Sequence, residues 1–361
     1  MSILFEPLRL GDLQLANRIV MAPMTRSRAG SDALPGVEMV EYYRQRASAG
    51  LIVAEGTAPS ASGLGYCRTP AIYSGEQIAA WRKVTDAVHE RGGCIVLQLM
   101  HVGRAASRHN KPQGAPTVAP SALRAQTRLF TDAAGMVDTD TPQALTLDDV
   151  HRVIDEYRQA ALNAREAGFD GVELHCTSGY LPMQFMASGS NQREDAYGGS
   201  VENRVRFVKE VLEAMAAAIG AGRVGYRQCP GNPYNDIEDA DPAATAVALC
   251  TAVAPLQLAY LHIMRSPVAG LDAFALARQH SNSALILNDG FDGDSARVAL
   301  EAGEGAAVSF ARHYIANPDL VERLQRGAPL ASFDRHTLYT PGARGYSDYP
   351  AYQADSLEVT P

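Results

Sequence analysis

Eight short runs rich in Val, Ile and Leu, each followed by a stretch with helical spacing, leave this chain few architectures. The runs are RIVMAP (18–23), LIVAE (51–55), CIVLQL (94–99), GVELH (171–175), VGYRQ (224–228), AYLHI (259–263), ALILN (284–288) and AAVSF (306–310). They are strand-length and apolar without strict alternation, the mark of strands buried on both faces in a parallel sheet with helical crossovers. The clearest helices are TLDDVHRVIDEYRQAALNAREAG (146–168) and SVENRVRFVKEVLEAMAAAIG (200–220), with Thr or Ser at the start and apolar residues three and four apart. Eight such units, with no dinucleotide fingerprint at the first turn, predict an α/β fold, a closed (β/α)8 TIM barrel rather than a doubly wound sheet. GAGRVG (220–225) spells GxGxxG, but it runs from helix to strand, the reverse of the order that sets pyrophosphate on a helix N-terminus. It is expected to be an ordinary turn.

One barrel domain accounts for residues 1–361, with an insertion at about 101–145 and a C-terminal tail at about 351–361. The insertion is rich in Gly, Pro, Ala and Ser and follows the third strand. It therefore lies over the C-terminal face, where barrel active sites sit, and is expected to form a lid. A net charge of −8 and a pI near 5.6 give no general attraction to nucleic acid or to anionic membrane, which leaves a small molecule as the expected partner. No uncharged apolar run reaches the ~18 residues of a membrane span. The five cysteines (Cys67, Cys94, Cys176, Cys229, Cys250) form no CxxC pair, so reduced thiols and no metal site are expected. The opening MSILFEPLRLGDLQ lacks the basic-then-apolar order of a signal peptide, which predicts a cytoplasmic protein. Monomer and homodimer are both compatible with the sequence.

In a barrel the informative residues are polar ones at the C-terminal strand ends. Here these are Thr25, Glu55, Gln98, His175, Arg227, His262, Asn288 and Arg312. An amide, a fixed cation and a hydroxyl converging on one mouth can hold a flat heterocycle with imide edges, although each alone is equally a satisfied structural group. The last two strand ends, NDGFDGDSA (288–296) and FARHYIANPDL (310–320), lie where many barrels bind phosphate, and imply a phosphate-bearing cofactor or substrate. The plainer reading gives Gly290 and Gly293 turns alone. Cys176 beside His175 has no base and orienter to make it a nucleophile.

Longer blocks carry a resemblance: LFEPLRLGDLQLANRIVMAPMTRSRA (4–29), GLGYCRTPAIYSGEQIAAWRKVTDAVH (63–89), LQLMHVGR (97–104), HCTSGYLPMQFMASGSNQREDAYGGSVENRVRF (175–207), FARHYIANPDLVERL (310–324) and LYTPGARGYSDYP (338–350). In order and nearly end to end, they resemble the Old Yellow Enzyme family. The resemblance implies a noncovalent FMN, NADH or NADPH as hydride donor, and reduction of the C=C bond of electron-poor alkenes by a ping-pong cycle. It places Thr25 by the flavin carbonyl next to N5, Gln98 on the pyrimidine edge, Pro23, Met24 and Gly56 along the ring, Arg227 by N1 and O2, and Gly290, Ala311 and Arg312 on the phosphate. It makes His175 and Ser178 the grip on the substrate's activating oxygen and Tyr180 the proton donor. Tyr66, Met100 and Tyr339 would line the substrate pocket. Ser178 stands where the family usually has Asn or His, Met100 where some members have Trp, and Asp289 and Ala311 where Gly is common. The shorter Ser178 invites a rival on the same scaffold, a specialised flavoenzyme that desaturates, isomerises or aromatises a ring, or a silent flavin binder. A remoter rival is a flavin-free sugar-phosphate isomerase or aldolase barrel.

Overall fold

The computed structural model describes residues 2–30 and 32–352, so most of the expected tail falls outside the described residues. Its centre is a closed barrel of eight parallel strands: β1 (Ile19–Met21), β2 (Leu51–Thr57), β3 (Ile95–Leu99), β4 (Gly171–His175), β5 (Val224–Gln228), β6 (Tyr260–Met264), β7 (Ala284–Asn288) and β8 (Ala307–Phe310). Each apolar run becomes a strand, most within a residue of the expected ends. Pairing stops early on β1, where Ala22 donates its N–H to the Phe310 carbonyl at 3.0 Å and Pro23 has no N–H to continue. On β2 the register slips between Ala54 and Thr57. That irregularity turns Glu55 toward the Tyr43 hydroxyl (3.2 Å) and the Arg26 N–H (3.4 Å), away from the other strand-end polar groups.

The two helices expected from spacing run over Leu147–Glu166 and Val201–Ile219 and pack on each other. Thr146 and Ser200 cap them, Thr146 in a reciprocal capping box with Asp149. GAGRVG is a turn, as expected, but it has a further use. Its Gly222 seats an N-terminal hairpin, Leu8–Leu10 paired with Leu13–Leu15, by accepting the Asp12 N–H at 2.8 Å. At Gly11, where φ is +56°, a Cβ would fall 2.4 Å from the Gly222 oxygen, so only glycine fits the hairpin tip.

Leu10, Leu13 and Leu15 of this hairpin are buried with Val20, Leu51, Val53, Val96, Tyr260, Ile286 and Ala307, plugging the lower barrel. Above this apolar layer the interior turns polar. Gln98, Glu173, Arg227, His262, Asn288 and Ser309 are all buried at the C-terminal end. The insertion holds its own hairpin, Arg128–Thr131 with Gly135–Asp138, tied to the mouth by the Arg68–Asp132 and Arg104–Asp236 ion pairs. A C-terminal strap is fixed by Arg26 and Arg28, which donate to the carbonyls of Thr337, Leu338, Arg344 and Gly345, while Tyr346 stacks on Tyr42 at 4.0 Å.

Leu13 is remote from the mouth and fully inside the plug. Leu13→Ala should lower unfolding free energy by about 2–5 kcal/mol in denaturant titration, with the bound-ligand spectrum at the mouth unchanged.

Candidate active site

The polar layer is a hydrogen-bonded chain that runs from Gln98 to Arg227. Gln98 Nε2 donates to Glu173 Oε1 at 2.8 Å, and Glu173 Oε2 meets His262 Nδ1 at 2.9 Å. His262 Nε2 lies 2.7 Å from Ser309 Oγ, which Asn288 Nδ2 reaches at 2.7 Å. Asn288 Oδ1 accepts from Arg227 Nη2 at 2.7 Å, and Arg227 Nη1 stands 3.1–3.2 Å from the His262 ring nitrogens. Burial and the nearby Arg227 charge lower the His262 pKa to about 4 despite the pull of Glu173. Burial alone would raise the Glu173 carboxyl, but His262, Arg227 and Gln98 hold it below its ordinary value. The layer thus carries one anion and one cation bridged by a neutral ring, with Nδ1–H donating to the carboxylate and Nε2 accepting from Ser309.

Immediately after β4 the chain makes a tight turn through Ser178 (φ +59°) and Gly179 (φ +71°). A Cβ at Gly179 would fall 2.3 Å from the Tyr234 oxygen, so this turn needs glycine twice over, for its backbone angle and for its space. The loop after β5 holds it: Asn235 Nδ2 donates to the Ser178 carbonyl at 2.9 Å and to the Tyr66 hydroxyl at 3.1 Å. The turn brings Tyr180 against His175, ring centroids 5.0 Å apart, and edge-on to Tyr66 at 6.1 Å. Met100 packs with Tyr180 and Tyr66, in space that Gly56 leaves open; a Cβ there would fall 2.5 Å from Met100 Sδ.

His175 is buried, and among the described residues its Nδ1 has no hydrogen-bond partner. Burial and the Arg227 charge lower its pKa to about 3, so the ring is a neutral imidazole with an unused polar edge. Burial, with Tyr66 alongside, drives the Tyr180 phenol well above its ordinary pKa. It stays protonated across the physiological range. Cys176 is likewise pushed up by burial, which leaves no reactive thiolate.

The expected residues thus fall into three groups. His175, Ser178, Tyr180, Tyr66, Met100 and Gly56 meet at one side of the mouth, with Gln98 and Arg227 in the barrel layer. Pro23, Met24 and Thr25 form the half-buried loop leaving β1. Gly290, Ala311 and Arg312 lie at the far rim, where exposed Arg312 stands 3.9 Å from Asp289. Tyr339 is on the rim at 60% exposure, its carbonyl accepting from Arg68. Beside Tyr66 a cleft of about 590 Å³ opens between Asp32, Arg68, Tyr73 and Lys111.

Sequence reading missed four contributors. Glu173 and Ser309 sit singly inside apolar strand runs, and the lone charge in GVELH was the available signal, since a buried acid needs a partner. Asn235 lies in a loop with no pattern. Arg265 completes the far rim, its guanidinium over the rings of Phe274 and Phe291 (4.8 and 4.9 Å) and its Nε donating to the Asp289 carbonyl at 3.0 Å.

A profile of the NADH:flavin oxidoreductase / NADH oxidase family matches residues 3–331. The chain belongs to this family. A probable flavin mononucleotide-dependent alkene reductase of Leishmania infantum is 41% identical over 357 residues, spanning 97% of each chain. Among solved structures, morphinone reductase is 42% identical with a TM-score of 0.92, covering 97% of this chain and 96% of that one. An Old Yellow Enzyme homologue from Zymomonas mobilis is 39% identical with a TM-score of 0.93, covering 97% and 99%. This Old Yellow Enzyme family member is an oxidoreductase whose cofactor is FMN and whose hydride donor is a nicotinamide.

Its buried histidines make it acid-sensitive. A histidine whose pKa falls from about 6.5 unfolded to about 3 folded binds its proton only in the unfolded chain across that window. Stability is therefore intact above pH ~6.5 and falls toward acid, by about 1.4 kcal/mol per pH unit for each such group. Denaturation of His175→Gln as a function of pH should show a slope shallower by about that amount between pH 6 and 4.

Proposed function

We propose that this oxidoreductase reduces the C=C bond of electron-poor alkenes such as enones and related carbonyl or nitro compounds, with NADH or NADPH and the alkene using one pocket in turn. When bound, FMN would supply the hydride relay between the nicotinamide and the alkene's β carbon. Gln98 would meet the pyrimidine edge of the flavin, Arg227 its N1 and O2 side, and Thr25 the carbonyl beside N5, with Pro23, Met24 and Gly56 along the ring. Gly290, Ala311 and Arg312 would hold the phosphate. The donor set fits such a group: a carboxylate accepts only, so Glu173 fixes the Gln98 amide with Nε2 toward it, and Arg227 is a cation that cannot lose its proton.

The observation that carries the reading is the meeting of His175, with its partnerless nitrogen, and the buried Tyr180 phenol. A neutral imidazole can donate a hydrogen bond to the activating oxygen and draw electron density from the double bond. Ser178, directly or through water, supplies the second donor. Tyr180, kept protonated by burial, gives its proton to the α carbon. Tyr66, Met100 and Tyr339 shape the pocket, and the insertion at about 101–145 serves as its lid.

Tyr180→Phe should slow reoxidation of the reduced enzyme by an enone by about 10²-fold or more while reduction by NADPH stays near the wild-type rate. Stopped-flow measurement of each half-reaction decides, and equal slowing of both removes Tyr180 from proton delivery.

Ser178 occupies a left-handed position that Asn adopts more readily than most residues. Ser178→Asn should therefore keep the turn and add a longer donor, tightening a phenol such as p-hydroxybenzaldehyde by about tenfold in a binding titration. Weaker binding would favour the rival reading, a specialised ring-modifying flavoenzyme to which Ser178 is adapted.

A further inference from the structure

Under the proposed flavin edge lies an acid that the proposed reaction does not use. Glu173 is buried, as are its neighbours Gln98, Arg227 and His262. It touches Gln98 directly, and it reaches Arg227 through His262, with Tyr260 on the same strand beneath. Every polar atom of the His262 ring is taken, by Glu173 and Ser309, with Arg227 alongside. One buried carboxylate thus orients the two residues that the proposed function sets against the flavin's pyrimidine side.

We propose that Glu173 is a positioning residue that fixes Gln98 and, through His262, Arg227, and that its charge partly offsets the Arg227 cation and so lowers the midpoint potential of the bound flavin. The inference rests on the proposed placement of Arg227 beside the flavin. Its sign follows from electrostatics. A cation near N1 favours the anionic reduced form, and a carboxylate behind that cation opposes it. The effect persists at high salt because buried charges are little screened. A merely structural Glu173 would change stability on removal and leave the potential of the retained flavin alone.

The test is the midpoint potential of the FMN-loaded protein, taken by equilibrium reduction against a reference dye. Glu173→Gln keeps the shape but removes the charge and exchanges one acceptor oxygen for a donor amide, so that the Gln98 amide or the His262 tautomer must invert to match it. Its potential should rise by a tenfold or greater shift in the oxidised-to-reduced equilibrium, ~30 mV for a two-electron couple, and Glu173→Asp should stay nearer the wild type. Arg227→Gln should move the potential the opposite way. If Arg227→Gln lowers the potential and Glu173→Gln leaves it unmoved, the role of Glu173 is overturned while the placement of Arg227 stands. If neither variant moves it, the placement of Arg227 falls and the inference with it. Should Glu173→Gln fail to retain flavin, nitrogen NMR of the His262 ring in the wild-type holoenzyme decides. A neutral ring protonated at Nδ1 at pH 7 supports the charge arrangement, and a doubly protonated ring overturns it.

Discussion

Placing a carboxylate and a guanidinium inside a barrel is the constraint on which the rest of this structure turns. Either ion alone would cost several kcal/mol after relaxation, and the pair is tolerable only when its remaining lone pairs and protons are matched. Glu173 and Arg227 meet that demand with side chains from β3, β6, β7 and β8. A one-residue slip of any of these strands would turn its polar side chain out of the barrel and strand a charge. The polar layer therefore fixes register at the mouth, as the apolar plug of Leu10, Leu13 and Leu15 fixes it at the base. A barrel filled throughout with branched aliphatics would have no such asymmetry and nothing to offer a polar ring.

The second side of the site is built on backbone rather than strand. Ser178 and Gly179 hold consecutive left-handed conformations, an arrangement that an L-residue adopts at some cost and that surrounding contacts must enforce. Asn235 is the enforcing contact, itself at φ +58°, and it grips Tyr66 as well as the Ser178 carbonyl. Its neighbour Asp236 binds Arg104 and the Gln126 N–H of the insertion. The insertion, the loop after β5 and the turn after β4 are thus one connected body, so the aromatic wall of Tyr66 and Tyr180 is set before any ligand arrives.

The barrel was legible because parallel strands buried on both faces leave unbroken apolar runs, and because capped helices announce their first turns at Thr146 and Ser200. Seeing which strand-end residues converge needed more. Glu55 has the same standing in the sequence as Gln98, but the register slip on β2 sends it to Tyr43 and Arg26 outside the polar layer. Glu173, two residues inside β4, and Ser309, one residue inside β8, do the reverse and join the layer. Such placements depend on register and on which of two faces a strand end shows, and neither is written in the spacing of apolar residues. Asn235 and Arg265 were harder still, since each gains its meaning from a loop of another βα unit. The roles of Tyr180 and Ser178 came from the resemblance; spacing alone had nothing to say about them, whereas Arg312 was already marked by its place at the eighth strand end.

The two ends of the proposed flavin site differ in their physics. At the barrel layer, charges are buried and held by hydrogen bonds, Glu173 by Gln98 and His262 and Arg227 by Asn288, so their influence is fixed by geometry. At the far rim, Arg312 and Asp289 are exposed and 3.9 Å apart, a pairing worth at most about 1 kcal/mol. A phosphate dianion at the proposed site would take Arg312 from Asp289 at small cost, while the neighbouring Arg265 is held by Phe274, Phe291 and the Asp289 carbonyl. Contacts at such a rim weaken with ionic strength, and those in the layer far less. In the proposed site salt would therefore act mainly on how firmly the phosphate end is held and little on the electrostatics at the ring end, which separates retention of the cofactor from the tuning of its chemistry.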